Sequence, residues 1–194
     1  TLVEEHKDAN DLESFRMDVL KYFAVDFDIK EEDFQKTSAN NLTERLYKEV
    51  RDTFSRKTET IAKQAFPVIK NVFEQRGEMF KNIVVPFTDG KRAYNVVANL
   101  EKTYKSEGEE LIRAYEKSIM LAHIDDAWKE HLREMDDLKQ SVQNATYEQK
   151  DPLLIYKFES FNLFKSMVDK INKNVVSTLM KGQIPFEAPE EVKQ

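Results

Sequence analysis

Apolar residues recur three and four positions apart along most of the chain, a spacing typical of amphipathic helices. The first such stretch predicts a short helix over residues 11–24. Directly after it, Val25, Phe27 and Ile29 alternate with polar residues, which indicates a short extended or strand-like segment. The chain is therefore predicted to be mainly α-helical.

A longer apolar stripe over residues 42–73 predicts a second helix. Asn41 stands three residues before Glu44, the spacing of a capping box, so we expect the helix to start there. Gly77 is the expected end. Pro67 lies inside the stripe and should kink or break the helix, because proline lacks an N–H group and clashes with the preceding turn.

Residues 82–97 carry a β signal. Two runs rich in Val, Ile, Phe and Tyr flank Asp89 and Gly90. An Asp-Gly pair between such runs predicts a hairpin in which both turn residues have positive φ. Pro86 confines its strand to the edge of a sheet, because it has no N–H to donate. The simplest interpretation is a surface hairpin packed on the helices.

Two long helices are predicted in the second half of the chain, with apolar stripes over residues 111–142 and 154–179. Asp151 suits the N-cap of the second helix, Pro152 its first turn and Gly182 its C-terminal cap. The short connection makes the two helices antiparallel neighbours. The predicted fold is mainly α, with a long antiparallel helical hairpin and a smaller helical domain that carries one β-hairpin.

Composition narrows the classes of function. The 194 residues include 30 Lys and Arg against 36 Asp and Glu, a net charge of -6, which argues against a nucleic-acid binder because such proteins need a basic surface. The absence of Cys excludes disulfides and thiolate chemistry. No apolar run is long enough to span a membrane, and no signal-peptide pattern opens the chain. Because the first residue is Thr1 rather than Met, we expect a piece of a longer protein.

Catalytic and metal chemistry find little support in the sequence. The four glycines are scattered and build no phosphate-binding loop. His123 and His131 are the most tempting metal ligands, but their spacing separates them by about 12 Å along a helix, with Ala127 between them. The adjacent Asp125 and Asp126 point in different directions on a helix. We therefore expect no catalytic residue, metal or cofactor in this chain.

Large apolar side chains on the two long helices are expected to form a structural core. The expected core residues are Trp128, Leu132, Met135, Phe161 and Phe164. A second interpretation stays open for the aromatic residues between positions 156 and 164, namely that some of them form a docking face for another domain.

The connection between the long helices is the unusual element. It carries one aromatic residue, Tyr147, beside a single charge, Glu148. A tyrosine at an exposed tip offers a large contact area and a hydroxyl group for hydrogen bonding, which suits contact with a passing polypeptide. The alternative is that Tyr147 folds back and staples the loop, and physical reasoning alone favours that alternative.

An ordered set of short motifs marks the second half of the chain. They are WKEHL at 128–132, MD at 135–136, LKQ at 138–140, Tyr147, QKDPL at 149–153 and YK at 156–157. Together they resemble the C-terminal region of the SecA family, the ATP-driven motors of bacterial protein export. The hairpin segment TDGKR and the segment QNATYEQKDPLL are most similar to Bacteroidetes members of that family.

The resemblance implies a domain organisation. Residues 1–98 correspond to the helical wing domain, with its β-hairpin near 82–97, although this half resembles the family more weakly. Residues 99–182 correspond to the two-helix finger of the helical scaffold. Residues 183–194 are expected to form a flexible tail.

The resemblance also implies a role for the finger tip. In the family the tip enters the cytoplasmic mouth of the SecYEG channel and contacts the translocating preprotein, which here assigns that contact to Asn144, Thr146, Tyr147 and Glu148. The commonest sequence of this tip in the family has Gly, Leu and Arg where this chain has Ser141, Asn144 and Ala145. Contacts of that Leu and Arg therefore do not carry over.

The nucleotide-binding domains of the family, which bind ATP and Mg²⁺, have no counterpart in this chain. The resemblance implies that the fragment alone is not an enzyme and holds no cofactor. Its implied partners are the preprotein, the SecYEG channel and the motor domains of the same full-length chain, with no nucleic acid. Its implied location is cytoplasmic, peripherally associated with the inner membrane face.

Two other functions remain open on the residues alone. One is a free-standing helical adaptor that binds a partner helix in a groove lined by the aromatics from Phe158 to Phe164. The other is a metal-dependent helical enzyme around His123 and His131, which the spacing of these residues disfavours.

Overall fold

The computed structural model describes residues 2–144 and 151–185, without the side chains of residues 143 and 144. The described residues form seven helices and one two-stranded antiparallel sheet, which confirms the predicted mainly-α class with one β-hairpin. The elements are α1 (Leu2–Asp8), α2 (Leu12–Phe23), α3 (Glu31–Lys36), α4 (Ala39–Arg76), β1 (Asn82–Thr88), β2 (Ala93–Asn99), α5 (Leu100–Lys105), α6 (Glu109–Asn144) and α7 (Pro152–Lys181).

The chain divides into two compact units. The first unit combines the chain up to Glu116 with the segment from Ser177 onward, and the second unit is Lys117–Val176. Both α6 and α7 run from one unit into the other. The predicted domain boundaries near residues 98 and 182 follow the family's domains rather than compactness, and they remain a prediction.

Helix α2 confirms the helix predicted over residues 11–24. Asp11 is its N-cap, and its carboxylate accepts a hydrogen bond of 2.9 Å from the Ser14 N–H. The bonds from Ser14 lower the pKa of Asp11. The helix ends where Ala24 adopts left-handed φ and ψ and donates its N–H to the Leu20 carbonyl.

The segment after α2 forms no strand, but the burial of its side chains alternates as the sequence pattern does. Val25, Phe27 and Ile29 are buried, whereas Asp26 and Asp28 are exposed. The segment is therefore extended chain that lays every second side chain on the core, as the sequence pattern indicates.

An aromatic cluster forms the centre of this core. Phe15 from α2 and Phe34 from α3 are both buried, and their ring centroids lie 5.3 Å apart. The ring of Phe27 meets Phe15 edge-on at 6.1 Å. Leu42 and Leu46 from α4 complete the same cluster, so the first turns of the long helix are fixed by apolar burial.

Helix α4 corrects two expectations. Its N-cap is Ser38 rather than Asn41, and the Ser38 hydroxyl accepts a hydrogen bond from the Asn41 N–H. Pro67 does not break the helix, which continues to Arg76 and ends at Gly77 as predicted. Ile61 and Ile69 are buried on either side of Pro67, so packing holds both halves despite the missing hydrogen bond.

The hairpin of β1 and β2 is confirmed, with Val84 opposite Val97 in its register. The prediction for its turn is wrong in one respect, because only Gly90 of the Asp-Gly pair has positive φ. Asp89 instead uses its carboxylate to accept hydrogen bonds from the N–H groups of Lys91 and Arg92. The side chain therefore organises a four-residue loop in place of a two-residue turn.

The two faces of the hairpin differ in burial. Phe87, Val96 and Ala98 on the inner face are buried, whereas Val84 and Val97 on the outer face are exposed. The hairpin thus packs one face on the helices of the first unit, which agrees with the predicted surface hairpin.

Candidate functional site

The tip of the helical hairpin is bounded by Asn144, the last residue of α6, and Pro152, the first of α7. Three of the predicted contact residues, Thr146, Tyr147 and Glu148, lie outside the described residues, as does the side chain of Asn144. Their contact role stays a prediction. In α6, one turn before the end, the hydroxyl of Ser141 donates to the Leu138 carbonyl at 2.9 Å. The helix therefore accommodates Ser where the family usually has Gly.

The start of α7 is fixed as the sequence predicts. The carboxylate of Asp151 accepts a hydrogen bond of 2.9 Å from the Leu153 N–H and a longer one of 3.4 Å from the Leu154 N–H. Pro152 needs no such partner, because proline has no N–H. This cap fixes where the connection to α7 ends and limits the tip to the few residues before Asp151.

The expected core on α6 and α7 is wrong for four of its five residues. The exposed fractions are 47% for Trp128, 49% for Leu132, 65% for Phe161 and 49% for Phe164. Met135 is half-buried. A helical stripe identifies the side of a helix that avoids water, but two helices packed side by side cover only part of each stripe. The remainder is an exposed aromatic face.

His131 is the buried group at this face, exposed by only 6%. Its ring lies 5.7 Å from the ring of Trp128 on the same helix and 6.1 Å from that of Phe164 on α7. The contact with Phe164 shows that α6 and α7 are neighbours in the second unit, as the short connection predicts. The Nδ1 atom of His131 is buried without a hydrogen-bond partner.

The metal hypothesis gains nothing from this placement. Within residues 2–144 and 151–185, no group of three or more His, Asp or Glu side chains is arranged to hold a metal ion. The carboxylate of Asp125 instead pairs with Lys129 at 2.5 Å on the solvent side of α6, and Glu109 pairs with Arg113 at 3.6 Å. The hydrogen bond to Asp125 raises the pKa of Lys129. These pairs, four residues apart, stabilise the exposed side of the helix.

Sequence reasoning missed a second group of residues, at the opposite end of the helical hairpin. Lys57 of α4 donates a hydrogen bond to the Met180 carbonyl in the last turn of α7. Lys57 is half-buried, and burial lowers its pKa to about 8. The negative end of the α7 dipole, at the C-terminus of the helix, stabilises an ammonium group at this position. No local pattern could reveal a contact between residues 123 positions apart.

The lowered pKa of Lys57 predicts a pH dependence of stability. Between pH 8 and the ordinary value near 10.5, the unfolded chain binds more protons at this position than the folded chain. The contribution of Lys57 to the free energy of unfolding should therefore rise with pH across this window. Urea unfolding of the wild-type chain and of Lys57→Met, at several pH values within it, should show the wild type gaining relative to the variant.

Lys57→Arg provides the matched control. Arginine retains a donor for the Met180 carbonyl but stays protonated throughout the window. It should therefore lose the pH-dependent gain just as the methionine variant does. Parallel pH profiles for the wild type and both variants would contradict the burial of a titrating ammonium group at this position.

Comparisons with known proteins agree with the motifs. A family model described as the SecA Wing and Scaffold domain matches residues 1–183. Proteins named Protein translocase subunit SecA match nearly the whole chain: that of Phocaeicola vulgatus is 50% identical over 184 residues and that of Bacteroides thetaiotaomicron 52% identical over 186, in each case covering 95% of this chain. No solved structure matches the chain.

The chain spans only 17% of the length of these two relatives. A relative from Flavobacterium psychrophilum, also named Protein translocase subunit SecA, is 48% identical over 184 residues, which cover 95% of this chain and 16% of that protein. Among the described residues, no helix combines the length and apolar character needed to cross a bilayer.

Proposed function

Because this chain belongs to the SecA family, as its wing and scaffold domain, we propose that it is part of the motor that moves preproteins through the SecYEG channel of the bacterial Sec pathway. ATP and Mg²⁺ bind nucleotide-binding domains elsewhere in the full-length protein, and hydrolysis there drives the movement. We assign no catalytic residue to the fragment itself. The full-length motor is cytoplasmic and associates peripherally with the inner membrane face.

The observation that carries the proposal is the helical hairpin of the second unit. Helices α6 and α7 are neighbours there, as the contact between His131 and Phe164 requires, and the cap at Asp151 limits their connection to a few residues. Tyr147 falls within that connection. Two packed helices are a stiff support, and a tyrosine at their tip can contact many sequences through its ring and hydroxyl. A motor that pushes varied unfolded chains needs both properties.

The exposed aromatic face supports a second part of the proposal. Phe158, Phe161 and Phe164 follow one another three positions apart on α7, and their exposed fractions are 64%, 65% and 49%. Trp128 and Phe164 both contact the ring of His131. Exposed apolar side chains grouped in this way mark interaction sites. We assign this face to contact with the motor domains of the same full-length chain. A free-standing adaptor would use the same face for a partner helix, but family membership and the greater length of the relatives favour the motor.

Site-specific crosslinking tests the tip assignment. A photoreactive residue at Tyr147 of the full-length protein should crosslink to a preprotein stalled in the channel. A probe at Arg133, exposed on α6 roughly 16 Å before its end, provides the matched control and should give no preprotein adduct. Adducts at position 133 with none at 147 would contradict the tip assignment.

Tyr147→Ala completes the test. It should leave the unfolding of the chain unchanged while it slows translocation by the full-length protein. A marked loss of stability would instead favour a tyrosine that folds back on its own loop.

A further inference from the structure

The buried hydroxyl of Tyr115 ties α6 to the end of α7 within the first unit. Tyr115 is exposed by only 1%, and its ring stacks on Phe87 of the hairpin with centroids 4.2 Å apart and planes 13° apart. The hydroxyl donates a hydrogen bond of 3.1 Å to the Thr178 carbonyl. Separating these groups without water would leave a buried donor unpaired, which is costly. One side chain therefore connects α6, β1 and α7.

Gly182 allows this close approach. A Cβ atom at this position would lie 1.7 Å from the Tyr115 hydroxyl oxygen and 2.6 Å from Cζ. The Gly182 N–H also donates to the Thr178 carbonyl, at 2.8 Å. The same carbonyl thus accepts from Tyr115 and from Gly182, so the end of α7 and the tyrosine fit together with no space between them.

A backbone pairing adds a connection of a different kind. Thr88, the last residue of β1, and Gln183 exchange two N–H···O hydrogen bonds of 2.8 Å in antiparallel register. Two residues earlier on β1, Pro86 is the next residue whose backbone is directed to this free edge of the strand. The antiparallel register places Pro185 opposite it. Neither proline has an N–H to donate. The pairing is therefore a single clip rather than the start of a third strand.

Together with the bond from Lys57 to the Met180 carbonyl, these contacts bind residues 178–183 to three other elements. The hydroxyl of Tyr115 comes from α6, the backbone of Thr88 from β1 and the ammonium group of Lys57 from α4. We name this set of contacts the α7 lock. Because its parts differ in chemistry and sit on different elements, no single change of charge or side-chain rotamer releases it.

On the basis of the proposed function, we propose that the α7 lock stays closed throughout the working cycle of the full-length motor. The β-hairpin of β1 and β2, the first turns of α6 and the last turn of α7 then move as one body. Displacement of the finger tip relative to the wing must arise in the second unit, between Lys117 and Val176. The division between the compact units follows Glu116, one residue beyond Tyr115 on α6, and precedes Ser177, one residue before Thr178 on α7, which agrees with this assignment.

A disulfide across the clip tests the proposal. In the full-length protein with any other cysteines replaced, Thr88→Cys and Gln183→Cys are introduced together. The Cα atoms of a hydrogen-bonded antiparallel pair lie about 5.5 Å apart, within the Cα range of disulfides. Because the Cβ atoms of such a pair are farther apart than those of a non-hydrogen-bonded pair, a short bis-methanethiosulfonate, which dithiothreitol also cleaves, serves as a second crosslink between the two thiols. We expect one of the two crosslinks to form in the resting protein, and the crosslinked protein to translocate preprotein at the rate of the reduced one.

Two outcomes would overturn the proposal. Failure of both crosslinks to form in the resting protein would mean that the clip is not closed. Loss of translocation on oxidation, with recovery in dithiothreitol, would mean that the lock must open during the cycle. The single variant Thr88→Cys, oxidised in the same way, controls for oxidation itself. If the wild-type full-length protein moves no preprotein at all, the proposed function fails rather than the lock.

Discussion

Replacing Gly182 with Ala should lower the free energy of unfolding of the chain by about 2–3 kcal/mol, the upper range for an atom forced into packed surroundings. The added methyl group would lie 1.7 Å from the Tyr115 hydroxyl oxygen, so Tyr115 must leave its place. It then loses its hydrogen bond to the Thr178 carbonyl and its stack on Phe87. Urea unfolding followed by circular dichroism measures the change.

A double-mutant cycle separates this clash from a general effect of alanine. Tyr115→Leu removes the two nearest of the three atoms that a Cβ at position 182 would meet and leaves the Thr178 carbonyl oxygen at 3.2 Å, so Gly182→Ala should cost less in that background. An equal cost in both backgrounds would mean that Gly182 is required for another reason. Backbone conformation offers none, because the described glycines with positive φ are Gly90 and Gly108.

The case of Gly182 shows what local sequence can and cannot predict. A glycine after an apolar helical stripe correctly predicts the end of α7, because helices commonly stop at such residues. The reason for this glycine is a different one. The side chain of Tyr115, 67 positions earlier, occupies the space that a Cβ atom at position 182 would need. No periodicity or cap signal relates two residues so far apart in the chain.

The elements that local rules predicted well are those set by neighbours in sequence. Apolar spacing placed α2, α6 and α7, and Asp11 and Asp151 bond the first N–H groups of their own helices. The rules failed where several local solutions compete. Ser38 and Asn41 are both good caps, and packing of Leu42 and Leu46 on the aromatic cluster selects the earlier start.

In the candidate site too, features set by local sequence were predictable and features set by distant contacts were not. Motif order and the cap at Asp151 identify the helical hairpin and its tip from sequence. The exposure of Trp128 and Phe161 could not be predicted, because an apolar stripe gives no information about what covers it. The same applies to His131, whose buried Nδ1 atom depends on the placement of Phe164 on the other helix.

Replacing phenylalanine with alanine should have very different costs at a buried and at an exposed position. Phe15→Ala should lower the free energy of unfolding by about 3–5 kcal/mol, because the ring is fully buried and its loss leaves a cavity. Phe161→Ala should change it by about 0.5 kcal/mol or less, since 65% of that residue is exposed. Urea unfolding of the two variants of the 194-residue chain, each against the wild type, measures both effects.

The same pair of variants in the full-length protein tests the role of the exposed aromatic face. Phe15 lies in the core of the first unit, so its cost should be similar in both contexts. If motor domains cover the face, Phe161→Ala should become much more costly in the full-length protein than in the chain alone, because its ring is then buried. A small effect in both would leave the face open to solvent and refute its assignment as a contact with the motor domains. A large effect already in the chain alone would mean that Phe161 is buried there, contrary to its exposure on α7.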